Sequence, residues 1–541
     1  MSSQPDLRIG VDFGTTFTGV SWTTPKEELK GTNVVKNWPG QTRQEPKVPT
    51  VLSKQGSGAN IKWGFLCESI DETEKWKLFK LLLEPATYQK ESRPEVRVPW
   101  IPGTVHDVHG LVVEYLRQIY VHISTIIPEL IKQKDQFSAT LRNKTWDSMK
   151  VEFVFSTPAQ WEAPVSQCFR RLIFRSGFGN INNHSVVLGL TESEAAAVFT
   201  CNAQMTAGRQ VRNNNILLSI DAGGGTTDLA FVKKSNDSVT LEEMSPVTGI
   251  GVGSARIDSR FAKLIKERME RYPTVCSHLP ADFALKASQS EDFQKWKHAF
   301  GSERSKNLDV YSTTVAGANG YTHKKFRIHD GELFFTRAEL KGCFDETLEH
   351  IMKHIQDTLK DWTIETEDAN KVVVSLLDER KDNAQALREY VARANYGIIV
   401  RDPPPSPRWF SSSAVTSQEA RVEWIVEYGA RINYFQPITI KLTKRLEEND
   451  PRTWTVEIMW LDKEESSPPP KRIHEKRGGE VLHRVDLEVV EGSTKLWTFM
   501  NLKSFTMYQE CKFELEVMIG PSGDCVLTVS KNTLKLTERE P

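Results

Sequence analysis

Nowhere in the sequence do about 18 apolar residues run together, the length a helix needs to span a bilayer, so no spanning helix is expected. Cysteine is sparse. Its seven residues, Cys67, Cys168, Cys201, Cys276, Cys343, Cys511 and Cys525, are scattered, odd in number and without a close pair at metal-ligand spacing. That pattern excludes a disulfide framework and fits reduced thiols in a cytoplasmic or nuclear protein. Excess charge of either sign is missing as well, 70 Lys and Arg standing against 71 Asp and Glu. The overall charge therefore gives no reason to expect a nucleic-acid or membrane-surface partner. The chain starts polar up to Asp6, with no charged-then-apolar leader pattern, and its 12 histidines form no H-E-x-x-H pair.

What is present is ordinary globular material: 39% hydrophobic and 26% charged residues over 541 positions, enough for several domains or one large bilobed unit with an appendage. Residues 7–24 read as a strand, a tight Gly-Thr-Thr turn and a second strand, and 216–232 repeat that pattern. Apolar residues at helical spacing (Val105, Val108, Leu111, Val112, Tyr115, Leu116, Ile119) predict a long helix over 104–133. Strands are expected at 150–156 and 371–377, and a helix at 337–360. A proline- and serine-rich stretch at 401–420 reads as a linker, since proline lacks the amide donor and fixes its own dihedral. Beyond it the chain reads mostly as β, with Trp454 and Trp460 as core residues and an exposed loop at 465–472. The basic run Lys471, Arg472, His474, Lys476 and Arg477 reads as a solvated loop, with a nuclear signal as the other reading.

The chemistry lies in the two turns. Each places an aspartate directly before glycine and threonine: Asp12-Phe13-Gly14-Thr15-Thr16 and Asp221-Ala222-Gly223-Gly224-Gly225-Thr226-Thr227-Asp228. Glycine lets backbone amides approach phosphate oxygens closely, threonine adds hydroxyl donors, and a carboxylate at a strand end can hold a hydrated magnesium ion. One such turn alone is an ordinary hairpin. Two of them, each after an apolar strand, point to a duplicated fold whose halves face a shared cleft.

The strings IGVDFGTTFTGV and LLSIDAGGGTTDLAFV resemble the two phosphate motifs of the seventy-kilodalton heat-shock chaperones, within the actin and sugar-kinase superfamily. FSTPAQW (155–161), LTESEAAAVF (190–199) and GVGSARID (251–258) resemble further segments of that ATPase domain. WGF (63–65) and WKLFKLLL (76–83) are similar to its divergent fungal and animal branch. The resemblance implies an α/β fold: a two-lobed actin-like (ribonuclease H-like) ATPase domain over 1–400, with lobes at about 7–205 and 206–400, then a smaller β-rich region over 421–541. It further implies ATP or ADP with Mg2+ as cofactors. Gly14, Thr15, Thr16, Gly223, Gly224, Gly225, Thr226, Gly251 and Gly253 would bind the nucleotide. Asp12 and Asp228 would hold the metal through water, and Lys80 (or Lys77), Glu192 and Asp221 would be catalytic.

Some parts of that family's pattern are absent. Its adenosine-binding glycine pair should follow the strand at 371–377, where this chain has Asp378-Glu379-Arg380-Lys381-Asp382-Asn383. Its apolar interdomain linker is missing, and Thr537–Pro541 do not match the acidic tail that recruits helical-repeat co-chaperones. The expected function is thus an ATP-binding chaperone-like protein with slow Mg-dependent hydrolysis coupled to binding of client proteins. A non-hydrolysing scaffold and a small-molecule kinase on the same fold are the alternatives.

Overall fold

The computed structural model describes residues 4–25, 32–56, 60–93, 100–206, 216–234, 241–302, 305–365, 372–376, 387–392, 394–400, 420–433, 436–447, 452–462, 472–473, 480–489, 497–501, 506–520, 524–530 and 534–539. The architecture is mixed α/β, built from several sheets with helices packed on them.

The first sheet begins with the hairpin Leu7–Phe13 and Phe17–Thr23, turned by Gly14–Thr16. Leu7–Phe13 then pairs in parallel with Val151–Thr157, and that strand in parallel with His184–Thr191. Leu7, Ile9, Val11 and Phe13 alternate into a core shared with the helix Val105–Lys132. That helix buries Val108, Val112, Tyr115, Leu116, Ile119, Ile123, Ile127 and Ile131, spaced by three or four residues, so one stripe faces the sheet. Its start is fixed by a capping box: Thr104 Oγ1 accepts from the Asp107 amide at 3.2 Å, and Asp107 Oδ2 accepts from the Thr104 amide at 3.0 Å.

The second half repeats the wiring. Ile216–Ala222 and Thr227–Lys234 form a hairpin around Gly223–Thr226, and Ile216–Ala222 pairs in parallel with Val372–Leu376. The helix Arg337–Glu365 covers this sheet, with Trp362 stacked on Phe231 at 4.7 Å between ring centroids. A small three-stranded sheet (Val310–Thr314, Ile328–His329, Glu332–Thr336) and the helices Ala255–Arg271, Phe283–Gln289 and Glu291–Ala299 share a separate apolar core.

The C-terminal strands form two further sheets packed face to face. Tyr396, Ile398, Ile458, Val485 and Leu487 of one share a core with Leu515, Val517 and Leu527 of the other. Trp460 is buried in this core and Trp454 packs against it beside Phe513, as the composition of that region predicts. Two findings change the expected organisation. Strand Asn395–Val400, placed by sequence before the boundary at 400, lies inside the first of these C-terminal sheets, between Ala420–Val426 and Thr453–Leu461. Residues 401–419 lie outside the described residues, yet the strands on either side pair antiparallel with each other, so the proline-rich stretch joins two neighbours in one sheet. In addition, Leu387–Val391 and Arg431–Asn433 extend the sheet of the second half.

The C-terminal sheets are also packed on the rest of the molecule. Their core continues into Ala163, Ala197, Val198, Leu217 and Val232. Beside this seam, Arg170 pairs with Asp524 at 3.3 Å, Gln167 Nε2 donates to His483 Nδ1 at 3.1 Å, and the Cys525 amide donates to Gln167 Oε1 at 3.2 Å. The basic run from Lys471 and the loop expected at 465–472 fall outside the described residues, apart from the short strand Arg472–Ile473.

Candidate functional site

Both glycine turns sit at the ends of apolar strands, and the fold brings them into contact. A Cβ on Gly224 would lie 2.5 Å from Thr16 Oγ1, and one on Gly225 would lie 2.8 Å from Thr15 Oγ1 and 2.6 Å from Leu81 Cδ2. Gly14 is required by its own turn, where a Cβ would lie 2.2 Å from the Phe17 carbonyl oxygen. Thr50 braces this first turn: its hydroxyl donates to the Gly14 carbonyl at 2.8 Å, and its amide to that of Thr16 at 2.8 Å. The second turn is braced from behind. The Ser254 and Ala255 amides, opening the helix Ala255–Arg271, donate to the Gly223 and Gly224 carbonyls at 3.0 and 2.8 Å. Gly253 permits this approach, since its Cβ would meet the Gly223 oxygen at 2.6 Å, whereas Gly251 is exposed.

Lys80 reaches the same place from the segment 76–83. Leu78 holds a left-handed backbone (φ 57°), which costs a branched side chain about 1–2 kcal/mol. The turn sends Phe79 into the core and Lys80 onto Glu192 at 2.5 Å. Both partners are buried, and the Lys80 ammonium lies 5.8 and 5.7 Å from the ring centroids of Phe13 and Trp161. Glu192 opens the helix Glu192–Thr206, whose first turn is fixed by Glu194 accepting from the Thr191 amide and hydroxyl at 2.8 and 2.6 Å. Lys77, the other candidate, is directed elsewhere, to Glu72 and to Gln289 at 3.0 Å.

Asp221 and Asp228 lie directly opposite each other across the hairpin. Asp228 is fully buried, accepting from the Ala159 amide at 3.1 Å and the Thr226 hydroxyl at 3.0 Å. Gly249 makes room for it: a Cβ there would lie 2.2 Å from Asp228 Oδ1. Burial, then the charges of Glu192 and Asp221, push the Asp228 carboxyl up to about 8. A proton held in the folded state and lost in the unfolded one makes stability fall as pH rises from about 4 to about 8. One proton limits that slope to about 1.4 kcal/mol per pH unit. Asp228→Asn, which keeps the size and can serve the same two partners, is expected to flatten it. Thermal midpoints of both proteins between pH 5 and 8 check this, and parallel curves would refute the assignment.

Asp12 lies one residue before the end of the first strand, and Lys47 Nζ donates to its Oδ2 at 3.2 Å. The structure thus gathers Asp221, Asp228, Glu192 and Lys80 around the touching turns, with Asp12 beside them carrying its own ammonium partner. Sequence reasoning missed Lys47, Thr50, Ala159 and Gly249. Gly249, two residues before a glycine already singled out, and Ala159, inside the segment 155–161, carried a local signal; Lys47 and Thr50 arrive only through strand pairing and turn contacts. Among the described residues no group of three or more His, Cys, Asp or Glu is arranged to hold a metal ion. The carboxylates Asp12, Asp221 and Glu192 gathered at the touching turns would nonetheless fit a divalent cation carried in by phosphates, since magnesium keeps its waters and takes only one or two carboxylates. The expected adenosine region, 378–383, lies outside the described residues.

No family profile matches the chain. Two curated proteins are similar to it: heat shock 70 kDa protein 12A of Homo sapiens and that of Mus musculus, each 20% identical over 431 residues, covering 64% of this chain. The chain spans about 60% of the length of these relatives. None of the helices in the described residues is long and apolar enough to cross a membrane. The comparisons thus establish a distant similarity to heat-shock seventy-kilodalton proteins, and the chain is a mixed α/β protein of that likeness.

Proposed function

We propose that this chain is an ATP-binding, chaperone-like protein whose actin-like halves close over a nucleotide and whose slow Mg-dependent hydrolysis is coupled to binding of other proteins. The observation that carries this reading is the meeting of the two Asp-Gly-Thr turns, Thr16 against Gly224 and Thr15 against Gly225, beside the buried Lys80–Glu192 pair. Backbone amides of both turns, with Thr15, Thr16 and Thr226, would hold the phosphates. Asp12 and Asp221 would hold the waters of magnesium, which when bound neutralises charge on the phosphates. Asp228, buried and hydrogen-bonded within the protein, is better suited to bracing Asp221 than to metal holding. Asp221 and Glu192 would orient a water for attack in line with the leaving phosphate, and Lys80 would offset charge developing on the transferred oxygens. Such transfer is mainly positioning and electrostatic stabilisation, and these groups suffice for it.

A second reading, binding without turnover, is favoured by the Lys47–Asp12 pair and by the charged residues at 378–383. Calorimetric titration with ATP, ADP, GTP and tripolyphosphate, with Mg2+ and with the metal removed by chelation, separates the two when paired with a turnover assay. Phosphate-dominated binding is expected, with ATP and GTP differing by less than about tenfold, roughly 1.4 kcal/mol. Asp221→Asn should abolish hydrolysis and leave the thermal midpoint within a few degrees. Equal turnover in wild type and Asp221→Asn would overturn the catalytic assignment, and no binding of any of the four would overturn the nucleotide reading itself.

A further inference from the structure

Three neighbouring strands place Asp12, Gly19 and Lys47 in one row. Asp12 is the partner of Gly19 in the first hairpin, and Gly19 is the partner of Lys47 in the strand Lys47–Pro49. Two positions away across a sheet, side chains ordinarily stand too far apart to meet except through a long chain. Glycine in the middle leaves a saddle. A Cβ built on Gly19 would lie 3.5 and 3.6 Å from Lys47 Cγ and Cε and 3.9 Å from Asp12 Cβ, so the lysine methylenes run over the glycine to the carboxylate. There the ammonium donates to Asp12 Oδ2 at 3.2 Å, with the carboxylate largely buried and the lysine mostly so.

We propose that Lys47 is a built-in counter-cation of Asp12, a positioning residue that keeps divalent metal off this carboxylate in the free protein. Building on the nucleotide reading above, metal then enters only with a phosphate chain, whose oxygens supply the ligands that an ammonium-paired Asp12 does not. The chemistry is competition between like charges. A fixed ammonium on Asp12 and a divalent cation at the same oxygen repel each other, and the partly buried position weakens screening by salt. Lys47 also contributes positive charge beside the first turn, so it favours the phosphate chain while it disfavours the bare ion. Lys80 makes a corresponding pair with Glu192.

The test uses the full chain and Mn2+ alone, followed by electron paramagnetic resonance of the free ion, with no nucleotide present. Wild type is expected to bind Mn2+ only in the millimolar range. Lys47→Gln, which keeps a donor for Asp12 and removes the charge, should bind it at least about tenfold more tightly. Lys47→Arg should behave as wild type. Adding Asp12→Asn to Lys47→Gln should return the affinity to the wild-type value, placing the gained ion on Asp12. Lys47→Met gives a second charge-free variant if the amide does not fold. Equal Mn2+ binding by wild type and both neutral variants, or a gain that survives Asp12→Asn, would overturn the proposal. Because nucleotide is absent, this result is independent of the titrations above. A gain on Asp12 in a protein that binds no nucleotide would uphold the role of Lys47 and defeat the ATP reading alone.

Discussion

A chain cut after residue 400 is expected to be recovered as aggregate and not as a free-standing nucleotide-binding domain. Cutting there removes both neighbours of strand Asn395–Val400 and leaves its edge bare. It also uncovers Tyr396 and Ile398 on that strand, and Ala163, Ala197, Val198, Leu217 and Val232 on the two halves. Each large apolar side chain so exposed forfeits about 1.5–3 kcal/mol of burial, so a few of them rival the whole stability of an ordinary domain, about 5–15 kcal/mol. Buried Gln167 and half-buried Arg170 lose His483 and Asp524 at the same time. Size-exclusion chromatography of residues 1–400 beside the full chain measures the effect. Co-expression with residues 420–541 should restore a soluble complex, because Ala420–Val426 can re-form its pairing with Asn395–Val400. A monomeric 1–400 fragment with a cooperative melt would show that the C-terminal sheets are a separable unit.

Replacing Lys80 by alanine is expected to lower stability by about 3–5 kcal/mol, since it leaves Glu192 buried next to other acids without its cation. The pair itself has a much smaller net worth, because desolvating both charges offsets most of their attraction. Lys80→Met combined with Glu192→Gln should therefore recover most of the loss shown by Lys80→Met alone, and the cycle closed by Lys80→Met and Glu192→Gln as single variants should show strong coupling. Thermal and denaturant midpoints for the two single variants and the double variant check this. Additive losses would mean that the two side chains act separately. On the nucleotide reading, turnover in Lys80→Ala also drops by roughly 100-fold, the scale of losing one preorganised charge at a transition state. The double variant should stay inactive while regaining stability, which separates the two roles of the lysine.

Much of the fold can be read locally from the sequence. Alternation in Leu7–Phe13 and Ile216–Ala222 marks strands, the spacing from Val108 to Ile119 marks the long helix, and the two turns announce themselves by composition. The strands at Val151–Thr157 and Val372–Leu376 and the helix Arg337–Glu365 match their expected positions within a few residues. What sequence could not supply was pairing. Residues 401–408 have the composition of a linker whether they join two bodies or two strands of one sheet, and only the partner of Asn395–Val400 distinguishes them. The same holds at the site. Lys80 and Glu192 were each legible beside a recognisable segment, whereas Lys47, in a short strand with no motif of its own, and Thr50, just after it, reach the first turn only because Lys47–Pro49 adds to the hairpin. Glycine at 253 likewise looks like a ligand contact in sequence, while the structure uses it to let a helix start pack behind the second turn.

The meeting of the two turns has a consequence for how this protein can change. The space for Thr15 and Thr16 is space that Gly225 and Gly224 give up, with clearances too small for one more carbon atom. Positions far apart in the chain thus form two exclusive couples, each with room for a side chain on one member only. A methyl gained on Gly224 calls for a hydroxyl-bearing branch to be lost at Thr16, and one gained on Gly225 calls for the same at Thr15 with Leu81 yielding as well. Drift at these sites must then pass through paired exchanges or through crowded intermediates, and the two halves, free to diverge elsewhere, are bound here to change together.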